Sequence, residues 1–206
     1  SARRDRVILY VGNFCSWHDY RPWVMETADE FARSIVDLAR VAATIKNCRL
    51  VIRSKSKPDL DFDAMEYFVS DLPNCEIQAS RDIVHDCKLP SLGEAVADAD
   101  LVIGFSTTVL EEAIHAGCPV LLWGGRQRYQ HLQARFTPPS RGDRAAVYSV
   151  KREKDLRPML GAVLDAHEGD RLSEEEMQDY CWPRNVPGVS SLARMLLDGG
   201  DAFREC

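Results

Sequence analysis

The polar residues whose spacing best suits chemistry lie in the stretch GFSTTVLEEAIHAGCPVLLWGG, residues 104–125. Ser106, Thr107 and Thr108 follow an apolar run and open a helical pattern, so we place them on the first turn of a helix. Unpaired backbone N–H groups, hydroxyl donors and the positive end of a helix dipole then point at one spot, which suits a phosphate. Ser and Thr are also good helix N-caps, so the same residues fit a turn that binds nothing.

Two further loops carry residues that could contact an anion or a sugar. The basic loop RSKSK contains Arg53 and Lys55, which could neutralise a phosphate, although a solvated charged turn has the same composition. The loop WGGRQRYQHL begins with two glycines and a cation, Gly124, Gly125 and Arg126. Glycines there would permit close approach of a sugar or an acceptor.

The loop GNFCSWHDYRPW is rich in aromatic and titratable side chains. Gly12 would let the backbone approach a ligand, and His18 could act as a catalytic general base or contact a sugar or phosphate. Alternatively, the aromatic residues of this loop pack on a partner domain outside the chain. The loop has no GxGxxG pattern, so a dinucleotide-binding dehydrogenase lacks its fingerprint. No cluster of His, Asp or Glu has metal-ligand spacing, and we predict no metal site.

The elements that must position these residues alternate between strand and helix. Short apolar runs and amphipathic segments follow one another from RVILYVGNF to DLRPMLGAVLDAH, with RAAVYSV as the sixth predicted strand and a last helix predicted at SLARMLLDG. We expect the segment between the last two helices, GDRLSEEEMQDYCWPRNVPGV, to cross the surface. Ser91 with Glu94 predicts a capping box at the start of one helix, and Gly117 predicts the end of another. This alternation predicts an α/β fold, a Rossmann-like three-layer α/β/α domain with about six parallel strands. We expect residues 1–206 to form a single such domain.

In an open parallel sheet, ligands bind at the carboxyl ends of the strands near the topological switch point. The loops after the first, second, fourth and fifth predicted strands therefore come together at one edge. Those loops contain Gly12, Arg53, residues 106–108 and residues 124–126. The sequence thus predicts one ligand site assembled from distant segments.

Composition narrows the class of protein. The chain has 206 residues and a net charge of −6, which argues against a nucleic-acid-coating protein, and no apolar run is long enough to span a membrane. Its 7 cysteines are scattered without zinc spacing, which favours a reducing, cytosolic compartment. The leading Ser predicts a processed or excised fragment.

The stretch ADLVIGFSTTVLEEAIHAGCPVLLWG resembles the donor-binding domain of GT-B glycosyltransferases and of the related non-hydrolysing UDP-sugar 2-epimerases. In those families a Ser/Gly-rich turn precedes a helix carrying EA, and GxPV follows at the same interval. The resemblance covers roughly residues 6 to 165 and implies one half of a GT-B architecture. It implies that residues 106–108 hold the phosphates of a nucleotide and that Glu112 hydrogen-bonds the ribose hydroxyls. It also places the nucleobase at Ser80 and Arg81, after the third strand.

The function that the resemblance implies is binding of a nucleotide-activated sugar, UDP-, CDP- or CMP-linked, for metal-independent transfer without a cofactor. The implied partners are an N-terminal acceptor-binding domain of the same protein and a glycan or lipid-linked acceptor. The implied setting is surface polysaccharide or glycan biosynthesis in the cytoplasm, with the inner face of the membrane as an option. Glycerophosphotransferases and Kdo transferases share this architecture.

Two other functions stay open. A UDP-N-acetylglucosamine 2-epimerase fits EEA followed by GCPV, but that family expects Gly-Gly after its Ser, where this chain has Thr107 and Thr108. A non-catalytic nucleotide-binding module would keep the fold without any transfer chemistry.

Overall fold

Six strands form one parallel sheet in the computed structural model, which describes residues 4–12, 24–55, 62–72, 74–80, 89–125 and 128–180. The strands are β1 (Arg6–Gly12), β2 (Cys48–Lys55), β3 (Cys75–Ser80), β4 (Leu101–Gly104), β5 (Val120–Leu122) and β6 (Val147–Ser149). The helices are α1 (Ala28–Ala43), α2 (Phe62–Val69), α3 (Leu92–Asp98), α4 (Val109–His115), α5 (Glu153–Ala166) and α6 (Glu174–Met177). The strand order is β3-β2-β1-β4-β5-β6, and every neighbouring pair is parallel.

The order of the strands reverses between β1 and β4. From β1 the chain steps outward through β2 to β3, and it then returns to build β4, β5 and β6 on the other side. Ligands of open α/β sheets bind in the crevice outside the carboxyl ends of the strands at such a switch point. Here that crevice lies just beyond the pair formed by Tyr10 and Ile103.

Both faces of the sheet are buried beneath helices, which gives three layers. Along β1, Ile8 and Tyr10 belong to the core cluster that includes α1 and α5, whereas Leu9 and Val11 belong to the cluster that includes α3 and α4. Alternate residues of a strand point to opposite faces, so a strand covered on both sides needs a continuous apolar run. The predicted α/β/α arrangement of parallel strands is confirmed.

Helix α1 begins where its sequence signals a start. The Thr27 hydroxyl accepts from the Glu30 amide at 3.3 Å, and the Glu30 carboxylate accepts from the Thr27 amide at 3.1 Å. This capping box satisfies two amides that the helix leaves unpaired. The buried side of the helix comprises Phe31, Ser34, Ile35, Leu38, Ala39 and Ala42. The box and the buried stripe together lay the start of α1 against the carboxyl ends of the central strands.

The structure differs from the sequence prediction in the last third of the chain. β6 is shorter than the predicted run RAAVYSV, and the backbone of Arg135 lies beside it, donating to Val147 at 3.0 Å and accepting from Ser149 at 2.9 Å. Helix α6 occupies a segment that we predicted as a surface crossing, and a capping box between Ser173 and Glu176 starts it. The predicted closing helix, SLARMLLDG, lies outside the described residues.

The cysteines that the structure describes are free thiols packed at strands. Burial raises the pKa of Cys48 and of Cys75 to about 11, and that of Cys118 to about 12. A thiol must ionise before it reacts or binds a metal, so these three behave as small apolar residues. Within the described ranges, no helix has the length and apolar character that crossing a membrane requires.

Candidate functional site

The crevice at the switch point depends on a close approach of β1 to β4. A Cβ atom on Gly104 would lie 2.5 Å from the Val11 carbonyl oxygen, which no side chain tolerates. Gly12, at the end of β1, is enclosed in the same way, because a Cβ atom there would lie 2.5 Å from the Phe31 ring. We predicted that Gly12 admits a ligand to the backbone. In the structure it is Phe31 that occupies the space beside it.

The turn after β4, residues 105–108, is called the hydroxyl turn below. Ser106 and Thr107 are half-buried, and Thr108 is exposed. We placed these residues on the first helical turn, but α4 begins at Val109 and Thr108 is its N-cap. The Thr108 side chain forms no capping hydrogen bond, and the hydroxyls of Ser106 and Thr108 have no hydrogen-bond partner within the described ranges. These two hydroxyls are therefore available to a ligand.

The backbone amides of this turn differ from the prediction. The Val109 amide donates to the Thr107 hydroxyl at 3.4 Å. The Leu110 amide donates to the Thr107 carbonyl at 3.2 Å, and the Glu111 amide to the Thr108 carbonyl at 3.1 Å. The amides of residues 109–111 are thus engaged locally, in a tight turn of the kind that often begins a helix. The donors that the turn itself offers to an anion are its hydroxyls and the amides of residues 106–108.

The two glutamates of α4 have separate surroundings. Glu112 lies one helical turn after Thr108, on the same side of the helix, is exposed, and forms no ion pair with the described residues. The Glu111 carboxylate lies 3.4 Å from Nε2 of His131. Glu112 is thus the carboxylate that can accept from a ligand beside the hydroxyl turn.

The turn after β5, residues 123–125, is called the glycine turn below. Both glycines have positive φ, +127° at Gly124 and +55° at Gly125. A Cβ atom on Gly124 would lie 2.7 Å from Oε1 of Glu26, and one on Gly125 would lie 2.2 Å from the Phe105 ring. Glycine is needed here because Glu26 and Phe105 pack against the backbone. Contact of these glycines with a sugar stays a prediction.

Glu26 is a fully buried carboxyl group behind the glycine turn. Its Oε1 accepts from the Ser34 hydroxyl at 2.7 Å and from the Gly125 amide at 2.8 Å, and its Oε2 accepts from the Tyr10 hydroxyl at 3.3 Å. Burial raises the pKa of Glu26, and these hydrogen bonds oppose that shift only in part. Burial also raises the pKa of Tyr10 well above 10.0. Sequence analysis missed Glu26, which appeared only as one acidic residue near the start of a helix.

A second contact ties the segment after β5 to the start of α1. Arg128 forms a bidentate ion pair with Glu30, with 2.8 Å between Nη2 and Oε2, and it also donates to the Met25 carbonyl at 3.0 Å. The hydrogen bonds from Arg128 lower the pKa of Glu30. A planar guanidinium matches a carboxylate in this geometry, which fixes orientation as well as distance. The glycine turn and Arg128 are therefore both tied to residues 25–30, at the start of α1.

Arg53 lies in a different setting from the one we predicted. The residue is 6% exposed, and its Nη1 donates to the Pro90 carbonyl at 2.6 Å. Burial lowers the pKa of this guanidinium. The side chain thus anchors the segment leading into α3 to the end of β2. Its predicted role as a phosphate ligand would require that contact to change.

The remaining predicted residues are described in part or not at all. The backbones of Lys55 and Ser80 end β2 and β3 at the same edge as the crevice, but the structure does not describe their side chains. His18, Arg81 and Arg126 lie outside the described residues. Their predicted roles as general base, nucleobase contact and donor contact stay predictions.

A cavity of about 210 Å³ opens between α1 and the end of β5, beside the glycine turn. Ser34, Asp37, Gly124 and Lys151 are among the residues that line it. Lys151 follows β6 and also lines a larger cavity of about 620 Å³. Neither cavity is lined by residues 106–108. Sequence analysis did not select Lys151, because a lysine after a strand has no distinguishing pattern.

Chemically, the edge of the sheet offers hydroxyl donors and a carboxylate acceptor side by side. Hydroxyls donate to phosphate oxygens, and a carboxylate accepts from both hydroxyls of a vicinal diol. Among the described residues, no group of three or more His, Cys, Asp or Glu side chains is placed to hold a metal ion.

The chain is similar to several solved structures. Staphylococcus aureus MnaA, solved with UDP, matches with a TM-score of 0.52 and 11% identity over 97% of this chain and 45% of that one. A Listeria monocytogenes structure described as a putative UDP-N-acetylglucosamine 2-epimerase matches with a TM-score of 0.49 and 14% identity over 98% of this chain and 45% of that one. The catalytic domain of a Helicobacter pylori cholesterol-α-glucosyltransferase matches with a TM-score of 0.45 and 13% identity, over 77% and 86% of the two chains.

The likeness to MnaA shows a shared α/β fold. The predicted fold is confirmed. The chain spans less than half the length of the MnaA and Listeria structures, at 45% of each. No protein-family model matches the sequence, and no curated protein sequence matches it.

Proposed function

We propose that the chain is the nucleotide-sugar-binding domain of a GT-B glycosyltransferase. One observation carries this proposal. At the switch point of the sheet, the hydroxyls of Ser106 and Thr108 have no partner within the described ranges, and Glu112 lies one turn further along the same side of α4. A neighbouring set of donors and one acceptor matches the phosphate and the ribose of a nucleotide.

Within this proposal each group has one role. The hydroxyls of residues 106–108 donate to the phosphate oxygens, and Glu112 accepts from the two ribose hydroxyls. The stretch 104–120 supports these roles because its residue pattern resembles that of the donor-binding families. The likeness to a fold solved with UDP supports a nucleotide as the ligand.

The proposed reaction is metal-independent transfer of a sugar from an NDP- or CMP-activated donor to a glycan or lipid-linked acceptor. The departing phosphate gains charge in the transition state, so hydroxyl and basic groups held at its position lower the barrier. The acceptor belongs to an N-terminal domain in this proposal, and His18 is the candidate base from this chain. We place the protein in the cytoplasm, in surface polysaccharide or glycan biosynthesis.

A UDP-N-acetylglucosamine 2-epimerase is the second candidate. The run EEA followed by GCPV favours it. The third candidate is a non-catalytic nucleotide-binding module, which would bind the same ligands at the same edge. Turnover separates them: a transferase consumes donor only with an acceptor, an epimerase equilibrates the 2-epimers, and a module does neither.

The first test is a calorimetric titration with UDP, CDP, CMP, GDP and ADP. Glu112→Ala should raise the dissociation constant of the preferred nucleotide about tenfold, since a hydrogen bond to a charged group contributes roughly 1.5–3 kcal/mol. Glu111→Ala is the matched control, because it removes a neighbouring carboxylate that faces His131. If none of the five nucleotides binds, or if both variants bind as tightly as wild type, the assignment of this edge is wrong. Robust sugar transfer by the chain alone would contradict the need for a second domain.

A further inference from the structure

Glu26 connects three parts of the fold that meet behind the glycine turn. Tyr10 comes from β1, Ser34 from α1 and the Gly125 amide from the end of β5, and each donates to the Glu26 carboxyl group. Gly125 is 99 residues from Glu26 in the chain. A buried carboxyl group is retained only where its oxygens are hydrogen-bonded, and here every observed partner is a neutral donor.

The glycine turn and Glu26 fit each other closely. Oε1 of Glu26 occupies the space that a side chain on Gly124 would need, because a Cβ atom there would lie 2.7 Å from this oxygen. The same oxygen accepts from the next amide, that of Gly125, at 2.8 Å. The Phe105 ring, which belongs to the hydroxyl turn, covers Gly125 from the other side. The carboxyl group thus sets the path of the backbone that borders the hydroxyl turn.

We propose that Glu26 is a positioning residue of the donor site: its carboxyl group holds the glycine turn, which in turn supports, through Phe105, the hydroxyl turn that binds the ligand. This inference rests on the function proposed above. Glu26 itself does not contact the ligand, because it is fully buried behind the turn. Its effect is transmitted through the Gly125 backbone and through Phe105.

Hydrogen-bond geometry, and not negative charge, is what this role requires. Glutamine keeps an oxygen that can accept from Gly125 and Ser34, and its amide can donate to the Tyr10 hydroxyl. Aspartate keeps the charge but is about 1.5 Å shorter, so its oxygens cannot reach the glycine turn. Glu26→Gln should therefore behave like wild type, whereas Glu26→Asp should not. A role as a general acid or as a source of charge predicts the opposite order.

The experiment compares wild type, Glu26→Gln and Glu26→Asp by two measurements. Hydrogen–deuterium exchange of the backbone at residues 120–125 reports on the turn, and calorimetric titration with UDP, CDP and CMP reports on the site. In Glu26→Asp, we expect the Gly125 amide to exchange at least about tenfold faster than in wild type. We also expect this variant to bind the preferred nucleotide about tenfold more weakly. Glu26→Gln should stay within about threefold of wild type in both. Ser91→Ala, which loses the cap of α3, controls for destabilisation and should leave the nucleotide affinity unchanged.

Each outcome decides between the two proposals. The positioning role is overturned if the Gly125 amide loses its protection from exchange in Glu26→Gln. It is also overturned if Glu26→Asp equals wild type in both exchange and nucleotide affinity. If Glu26→Asp does not fold, the exchange of Glu26→Gln decides alone. If wild type binds none of the three nucleotides, the proposed function fails, while the exchange data still decide whether Glu26 holds the turn.

Discussion

Two turns at the same edge of the sheet differ in what their polar groups bind. The hydroxyl turn after β4 and the glycine turn after β5 are neighbours, joined where the Phe105 ring covers Gly125. In the glycine turn, the Gly125 amide forms its hydrogen bond inside the protein, because it donates to the buried Glu26 carboxyl group. In the hydroxyl turn, the side chains of Ser106 and Thr108 have no partner within the described part of the chain.

This difference separates structural from functional polar residues. A buried polar group without a partner costs free energy, so the glycine turn must be satisfied by the fold itself. A hydroxyl that water can reach carries no such requirement and is available for a ligand at little cost. Glycines and carboxylates that look like ligand groups in the sequence can therefore belong to the scaffold, and a turn with loosely engaged hydroxyls is the better candidate for binding.

The largest effect should come from filling the space beside the glycine turn. Gly125→Ala places a Cβ atom 2.2 Å from the Phe105 ring at a backbone φ of +55°. We expect a loss of about 3 kcal/mol in the free energy of unfolding, measured by urea denaturation. Gly161→Ala is the control, because α5 offers open space there and alanine is the better helix former by roughly 1 kcal/mol. A Gly125→Ala variant as stable as wild type would mean that the turn is not held by packing.

The next largest effect should be a loss of nucleotide affinity without a loss of stability. The double variant Ser106→Ala/Thr108→Val removes two hydroxyls that have no partner within the described residues and keeps the shape of the turn. We expect the dissociation constant of the preferred nucleotide to rise about tenfold or more in calorimetric titration. The melting temperature should change little. Equal affinity in variant and wild type would break the contrast between the two turns.

Local signals in the sequence were enough to predict most of the fold. Apolar runs and helical spacing indicated all six strands of the described sheet, and the box Ser91–Glu94 and Gly117 with φ of +76° mark helix ends as predicted. These features depend on residues within one or two turns of each other. The hydroxyl turn and Glu112 were found for the same reason, because the pattern lies in one continuous stretch.

The parts that the sequence could not predict depend on contacts between distant residues. Glu26 is buried only because Gly125 and Tyr10 surround it, and nothing near residue 26 indicates this. Arg53 was predicted as a phosphate ligand from its place near the end of a strand, and nothing in the sequence indicates that it donates to the Pro90 carbonyl, 37 residues away. A charged residue at a strand end has the same appearance in sequence whether it faces a ligand or the protein.

A pH titration would show whether Glu26 is held in its neutral form. Burial raises its pKa in the folded protein above the ordinary value of 4.5. Above pH 4.5 the unfolded chain therefore loses this proton first, and the stability that the neutral group contributes is lost as the pH rises through the folded pKa. The free energy of unfolding of wild type, measured relative to Glu26→Gln, should fall over that range.

The difference in free energy of unfolding between wild type and Glu26→Gln separates the titration of Glu26 from that of the other groups. Burial lowers the pKa of His167 to about 4, so His167 makes the folded protein less stable as the pH falls below 6.5. This contribution is the same in wild type and in Glu26→Gln. Tyr10 and Glu30 also face Glu26 and are unchanged in the variant. A difference that rises with pH would show that the hydrogen bonds from Tyr10, Ser34 and Gly125 stabilise the ionised form.

The smallest effect distinguishes a helix cap from a ligand group. Ser91 and Thr108 are both N-cap residues, but Ser91 accepts from the Glu94 amide at 3.2 Å within a capping box, whereas the Thr108 side chain forms no cap. Ser91→Ala should lower the free energy of unfolding by about 1 kcal/mol, and Thr108→Ala by less than about 0.5 kcal/mol, in matched urea denaturations. If Thr108→Ala costs as much as Ser91→Ala, the Thr108 hydroxyl is a structural cap in solution and is no longer available as a donor. The hydroxyl turn would then resemble the glycine turn, and the argument for a phosphate at this position would rest on Ser106 alone.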